Sequence, residues 1–329
     1  MAPVPPERFL KQVDHLAPGD RAIVVELQED GRRSFANIAR NLGIAEKTVR
    51  LRVRHLLDAG IIQIGAVTDP AALGYRAAAL LGITTDTTHP ASVVALELLK
   101  IEAVDYVVVA SGRYGLFAEL FCRDRQALQA AIEGEVGAIA GITAIESFPY
   151  LSLHYQLARF EAAQAKESNE TGVRPRALSE TDRRIVQALS QDGRAPLQGI
   201  ADRLGISETQ VRNRMHEMVA DGVMNVMAIV NPMSMAYGTV AWIALRVAGG
   251  HRVGDVAATL ADMARITYVA ITAGRFDIFA EIACTSDAEL MTVMDEDIRM
   301  LPGVAAAELS IYQHLHYKRL TPIRDEMAP

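Results

Sequence analysis

Little in this chain of 329 residues points to a cross-linked or membrane-embedded protein. It has two cysteines, Cys122 and Cys284, too few for a disulfide framework or a thiolate zinc site. Aromatic residues make up only 5%, so its cores must be largely aliphatic. No run approaches the roughly 20 apolar residues of a membrane-spanning helix. Residues 1–14 carry prolines and charges rather than the apolar centre of a signal peptide. A cytoplasmic location with no membrane partner is therefore expected. Positive charge is not in excess either: the formal net charge is −7. That argues against indiscriminate coating of nucleic acid and leaves room for a local basic surface. No phosphate-cradling glycine loop, nucleophile–base arrangement or metal cluster stands out, so no catalysis, cofactor or metal is expected. His314 and His316 alternate along one strand but have no third ligand nearby, and they read as sheet-face packing.

What the sequence does contain is itself, twice. A shift of 162 positions aligns residues 20–155 with a second copy without a gap. Asp30-Gly31-Arg32 meets Asp192-Gly193-Arg194, and Leu42-Gly43-Ile44 meets Leu204-Gly205-Ile206. Gly60 meets Gly222, Ala118-Glu119 meets Ala280-Glu281, and His154-Tyr155 meets His316-Tyr317. A register held over that length marks a tandem duplication. Six segments follow: an N-terminal extension (1–14), a first winged helix-turn-helix (15–68), a first ferredoxin-like domain (69–160), a polar linker (161–176), a second winged helix-turn-helix (177–230) and a second ferredoxin-like domain (231–329).

The first part of each copy has helical spacing. Ile23, Val24 and Leu27 define one helix, Ile38, Ala39 and Leu42 a second, and Val49, Val53, Leu56 and Leu57 the inner face of a third. Gly43 suits the left-handed turn between the second and third, which is the helix-turn-helix layout. A strand at 61–64 gives a wing-like continuation. Lys47, Thr48, Arg50, Arg52 and Arg54 are candidate DNA contacts in copy one: cations for phosphates, Arg for guanine, Thr for either. Copy two offers Thr209, Gln210, Arg212, Asn213 and Arg214. Residues 16–60 carry eight Lys and Arg against six Asp and Glu, a balance of +2; residues 178–222 carry six against seven, a balance of −1. Copy two is thus expected to be the weaker electrostatic binder. Its Ser207 and Gln210 form a capping-box pattern where copy one has Ala45.

The second part of each copy reads as βαββαβ, a ferredoxin-like unit. Its four-stranded sheet has helices on one face, so the other face needs cover and the two units are expected to pair. The tight turns differ: Gly274-Arg275-Phe276-Asp277 in copy two, Gly112-Arg113-Tyr114-Gly115 in copy one. With Thr272 just before it, the first offers an Arg and an Asp that could hold the carboxylate and ammonium of a free amino acid. Equally, the glycine could supply positive φ and the aspartate cap the turn. Thr272, Gly274, Arg275, Phe276, Asp277, Gly112 and Arg113 are the candidate effector-binding residues.

Leu42-Gly43-Ile44 with Val49, Arg52 and Leu56, their mates Leu204-Gly205-Ile206 with Val211, Arg214 and Met218, and the turn Gly274 to Asp277 together resemble the Lrp/AsnC (feast/famine) family of regulators. The resemblance covers nearly the whole chain, twice over. It implies double-stranded DNA as partner, an amino acid or related metabolite as effector, and homo-oligomers of dimers or higher multiples. A fused pair implies a pseudo-dimer within one chain. In copy one Gly115 replaces the aspartate of the turn, which counts against ligand binding by that half. The alternative is siroheme decarboxylase, which resembles the same fold and carries a His-Asn-Tyr-x-Arg stretch on the second sensing strand. The matching strands here read Val104-Asp105-Tyr106-Val107-Val108 and Ile266-Thr267-Tyr268-Val269-Ala270, without that histidine.

Overall fold

The computed structural model describes residues 16–68, 70–154, 178–221, 223–235 and 238–317. The expected N-terminal extension (1–14) and linker (161–176) lie outside these residues, as does Gly222. Copy one runs through helices α1 (Pro18–Glu29), α2 (Phe35–Leu42) and α3 (Glu46–Asp58) and strands β1 (Ile62–Thr68) and β2 (Ala77–Thr85). It continues with α4 (Ala91–Leu98), β3 (Val104–Ala110), β4 (Leu116–Cys122), α5 (Arg125–Ala130) and β5 (Ile142–His154). Copy two repeats the order with α6 (Glu180–Gln191), α7 (Leu197–Leu204), α8 (Glu208–Ala220), β6 (Met224–Val230) and β7 (Thr239–Val247). It ends with α9 (Val253–Ala261), β8 (Ile266–Thr272), β9 (Ile278–Cys284), α10 (Asp287–Thr292) and β10 (Val304–Tyr317).

The copies do not fold as two successive bodies. One compact unit takes both helix-turn-helix segments, within 16–75 and 161–230; the other takes both βαββαβ segments, within 76–160 and 231–319. In the first unit each head packs its three helices through the apolar stripes the spacing predicts, except that Leu57, expected on the inner face of α3, lies at the stripe's edge and is 38% exposed. Ile23, Leu27, Ile38, Val49, Val53 and Leu56 are buried, as are Ile185, Leu189, Ile200, Val211 and Met218. Gly43 and Gly205 end the second helices at φ of 65° and 67°, a left-handed conformation that a side chain would strain.

The expected wings take another form. A lone seven-residue strand leaves its ladder groups unpaired, and each head supplies the other's partner. β1 and β6 pair antiparallel from Ile62↔Val230 to Thr68↔Met224.

In the second unit the eight strands form one closed barrel in the order β10-β3-β4-β2-β5-β8-β9-β7. Within each copy the sheet order is second, third, first, fourth strand, the order of a split βαββαβ unit. The two units pair, as the uncovered sheet faces require, and they do so by joining their sheets at the edges. β5 pairs with β8 around Leu153↔Ala270, and β10 pairs with β3 around Leu315↔Val108. Closure removes every free edge and turns two uncovered faces into one lumen. Strand alternation then sorts the side chains. Ala79, Leu81 and Ile83 pack outward under the helices of copy one, while Leu80 points inward with Phe117, Phe148, Trp242 and Phe279.

Candidate functional site

On a helix turning about 100° per residue, positions 47, 50, 51 and 54 share one face and positions 49, 53 and 56 the opposite one. The structure follows that geometry. Val49, Val53 and Leu56 are buried, and Lys47, Arg50, Leu51 and Arg54 are exposed. The matching face of α8 presents Thr209, Arg212, Asn213 and His216, all exposed. Arg50 pairs with Glu46 at 2.6 Å, Arg54 with Asp58 at 3.5 Å, and Arg212 with Glu208. These are exposed pairs one helical turn apart, worth about 0.3–0.5 kcal/mol each, and a phosphate can replace the carboxylate at little cost.

Three of the expected contacts are occupied elsewhere. Arg52 lies on the flank of α3 and donates to Asp20 of α1 at 3.1 Å. Its mate Arg214 donates to Asp182 of α6 at 2.9 Å. Burial raises the Asp182 carboxyl, but hydrogen bonds from Ser179 and Arg214 outweigh it and hold it below the ordinary carboxylate range. Both arginines therefore tie the third helix to the first. Gln210 closes the capping box of α8, its Oε1 accepting from the backbone N–H of Ser207 at 2.9 Å. Thr48 is half-buried. Ala45 provides no side-chain cap for α3.

The Asp-Gly-Arg repeat, which reads from sequence as a polar break, is a clasp between the heads. Arg32 donates to the carbonyls of Gly193 (2.6 Å) and Ala195 (3.2 Å). Arg194 returns the contact to Gly31 (2.7 Å) and Arg33 (3.1 Å). Gly31 and Gly193 lie against the other head's strand: a Cβ on Gly193 would stand 2.6 Å from the Gly65 Cα, and one on Gly31 would stand 2.9 Å from the Met227 backbone. The clasp also reaches the outward face. The Arg194 guanidinium lies 4.4 Å from the ring centroid of Phe35, and that of Arg50 lies 5.3 Å from it. Copy two has Leu197 at the position of Phe35, so only the first head has this stack. A triplet repeated at the same offset was the available signal.

The turns of the sensing unit do not present the expected pair. Gly274 and Gly112 take φ of 132° and 124°. The Asp277 carboxylate accepts from the N–H of Val247 at 2.8 Å, and the Thr272 hydroxyl donates to the Phe276 carbonyl at 2.9 Å. Phe276 is buried in the lumen. Arg275 turns away from Asp277 and pairs with Glu146 at 2.9 Å. Arg113 makes the equivalent bond to Glu308 at 3.0 Å. Burial works against the Glu146 charge, but Tyr114 and Arg275 favour it and leave its pKa lowered. Each turn thus exposes an Arg–Glu pair that joins one copy to the other.

Inside the lumen stand two carboxylates that sequence reading missed as functional groups. Glu119 and Glu281 occupy equivalent positions on β4 and β9. Glu281 accepts from Tyr106 (2.6 Å), Tyr312 (2.7 Å) and Thr267 (2.6 Å). Glu119 accepts from Tyr150 at 2.6 Å and from Tyr268. Tyr106 and Tyr268 each bond the glutamate of the other copy. Burial pushes Glu119 up to about 7 despite its two tyrosine donors, with Glu281 adding to the rise. A single acid inside each wholly apolar strand, LFAELFC and IFAEIAC, was the signal.

Comparison with known proteins adds the following. Residues 19–57 and 178–219 match the AsnC-type helix-turn-helix domain, and residues 249–320 match a C-terminal dimeric alpha+beta barrel domain of AsnC-type regulators. An uncharacterized HTH-type transcriptional regulator of Pyrococcus furiosus is 34% identical over 129 residues, covering 39% of this chain and 86% of the relative. The HTH-type transcriptional regulator LrpA of Pyrococcus horikoshii is 35% identical over 129 residues, 38% of this chain and 89% of its own. Each relative therefore spans about one copy of the duplication. The crystal structure of the siroheme decarboxylase NirDL superposes with a TM-score of 0.59 at 16% identity, covering 94% of this chain and 95% of that one. That likeness is one of fold. No helix of the described residues is long and apolar enough to cross a membrane.

Proposed function

Since the chain belongs to the Lrp/AsnC family of transcriptional regulators, we propose that it binds double-stranded DNA as a dimer contained in one polypeptide. The observation that carries this reading is the pairing of the two heads through β1 and β6 with a reciprocal arginine clasp. Two helix-turn-helix units held in fixed register suit two half-sites about one helical turn apart, or a multiple of that. Lys47, Arg50 and Arg54 on α3, with Thr209, Arg212 and Asn213 on α8, form the proposed contact set. Homo-oligomers of whole chains would build on this internal pair.

The test is selection from a random duplex library followed by titration across salt. A preferred sequence should emerge, and log K should fall with log salt at a slope of about −0.9 per phosphate neutralised. Arg50→Ala should make that slope shallower by about one such unit. Binding without sequence preference would contradict the reading.

For the effector, the supporting feature is the exposed Arg275–Glu146 pair and its mate Arg113–Glu308. A free amino acid can replace both partners at once, its carboxylate taking the arginine and its ammonium the glutamate. Some amino acid should then raise the melting temperature and shift DNA affinity, and Arg275→Ala should weaken both responses. If none of the twenty changes either quantity, amino-acid sensing is ruled out.

A further inference from the structure

One exposed residue on the outward face of α3 is not a phosphate ligand. Leu51 keeps 59% of its surface accessible, opposite the buried face of the helix and beside the stripe formed by Lys47, Arg50 and Arg54. The core of the head takes the opposite face of the helix and does not need it. A surface that sets cations beside an exposed apolar side chain matches the major groove of a duplex. There, phosphates flank the base edges, and thymine alone among the four bases displays a methyl group. At the same helical position α8 carries Asn213, also exposed, whose amide can donate to N7 and accept from N6 of adenine.

We propose that Leu51 reads a thymine methyl group and that Asn213 reads an adenine edge, so the two heads recognise bases by different chemistry and are not interchangeable on their operator. This rests on the DNA-binding reading above. It adds a specificity-determining residue that the charged face alone would not suggest. It also explains how a fused pair differs from two identical subunits: the same T·A base pair can satisfy either head, but one depends on the methyl and the other on the purine ring.

The experiment compares the full chain on three duplexes of its selected sequence: unmodified, with every thymine replaced by uracil, and with every adenine replaced by 7-deazaadenine. Uracil keeps the base pair and removes only the methyl. The wild-type chain should bind the uracil duplex about fourfold more weakly, the size expected for one methyl lost from an apolar contact. Leu51→Asn should bind both of these duplexes equally, while Asn213→Ala should keep the uracil penalty. On the 7-deazaadenine duplex the pattern should reverse: wild type and Leu51→Ala weaken, and Asn213→Ala does not respond. Leu51 and Asn213 are both exposed, so melting curves should show all variants folded. A uracil penalty that survives in Leu51→Asn, or is absent in wild type, would overturn the assignment of Leu51. A 7-deazaadenine penalty that survives in Asn213→Ala would overturn that of Asn213. Absence of any sequence preference on unmodified DNA would instead defeat the regulator reading itself.

Discussion

Lys47, Arg50, Leu51 and Arg54 on α3 stand where Thr209, Arg212, Asn213 and His216 stand on α8. The backbones beneath them are alike, with the same left-handed glycine before the third helix and the same arginine tied back to the first. The first head, at +2, has charge on its outward face and an uncapped α3; the second, at −1, has uncharged polar side chains beside Arg212 and a complete capping box on α8. Duplication within one chain removes the constraint that both halves of a dimer stay identical. One half can keep the electrostatic affinity while the other trades charge for selectivity and local stability.

The comparison depends on the heads being paired. Gly193→Val puts a side chain into the Gly65 backbone and should unpair them. DNA affinity should drop by about 100-fold or more, the avidity of two linked sites, while the barrel's near-ultraviolet circular dichroism stays intact. Unchanged affinity would mean the heads act singly.

A smaller effect separates the arginines tied to the first helix from those proposed to contact DNA. Arg214→Ala leaves Asp182, only 2% exposed, without its cation, whereas Arg52→Ala frees the half-exposed Asp20. Denaturant melts should show a loss of about 1–3 kcal/mol for Arg214→Ala and less for Arg52→Ala. Neither should change the salt slope directly; a slope change without destabilisation would return them to the DNA face.

The barrel offers a second pair of mates. Folded, it keeps Glu119 protonated up to about 7, while the unfolded chain releases that proton near the ordinary value of 4.5. The folded state therefore binds the extra proton between these values, and stability falls as pH rises from about 4.5 to about 7. Glu119→Gln should flatten that stretch of the stability curve and raise the melting temperature at pH above 7, read by scanning calorimetry. An unchanged pH profile would place the titration elsewhere.

The smallest effect concerns the caps. Ser207→Ala should cost about 1 kcal/mol, and Ala45→Ser should return a similar amount to the first head. Equal melts for both variants and wild type would mean the caps contribute nothing.

Much of this architecture is legible in the sequence because it is local. The repeat, the glycine turns, the helical stripes and the βαββαβ order all come from neighbours in the chain. What could not be read depends on contacts between the copies. Arg52 and Arg214 looked like groove readers because helical angle alone does not reveal the aspartate waiting on the first helix. The strand after the third helix looked like a wing because nothing local says its partner lies 162 residues away. Arg275 and Asp277 are two residues apart, but one turns to Glu146 and the other to the β7 backbone. Glu119 and Glu281 read only as matched positions of the repeat, because only closure of the barrel buries them and brings the tyrosines that bind them.

The most direct test of an internal dimer that reads DNA with both heads is a hydroxyl-radical footprint of the full chain on its selected duplex, at one chain per duplex. Two protected patches about one helical turn apart, or a multiple of that, are expected, with Arg50→Ala and Arg212→Ala each weakening a different patch. A single patch, or two patches that appear only when two chains bind, would contradict the account.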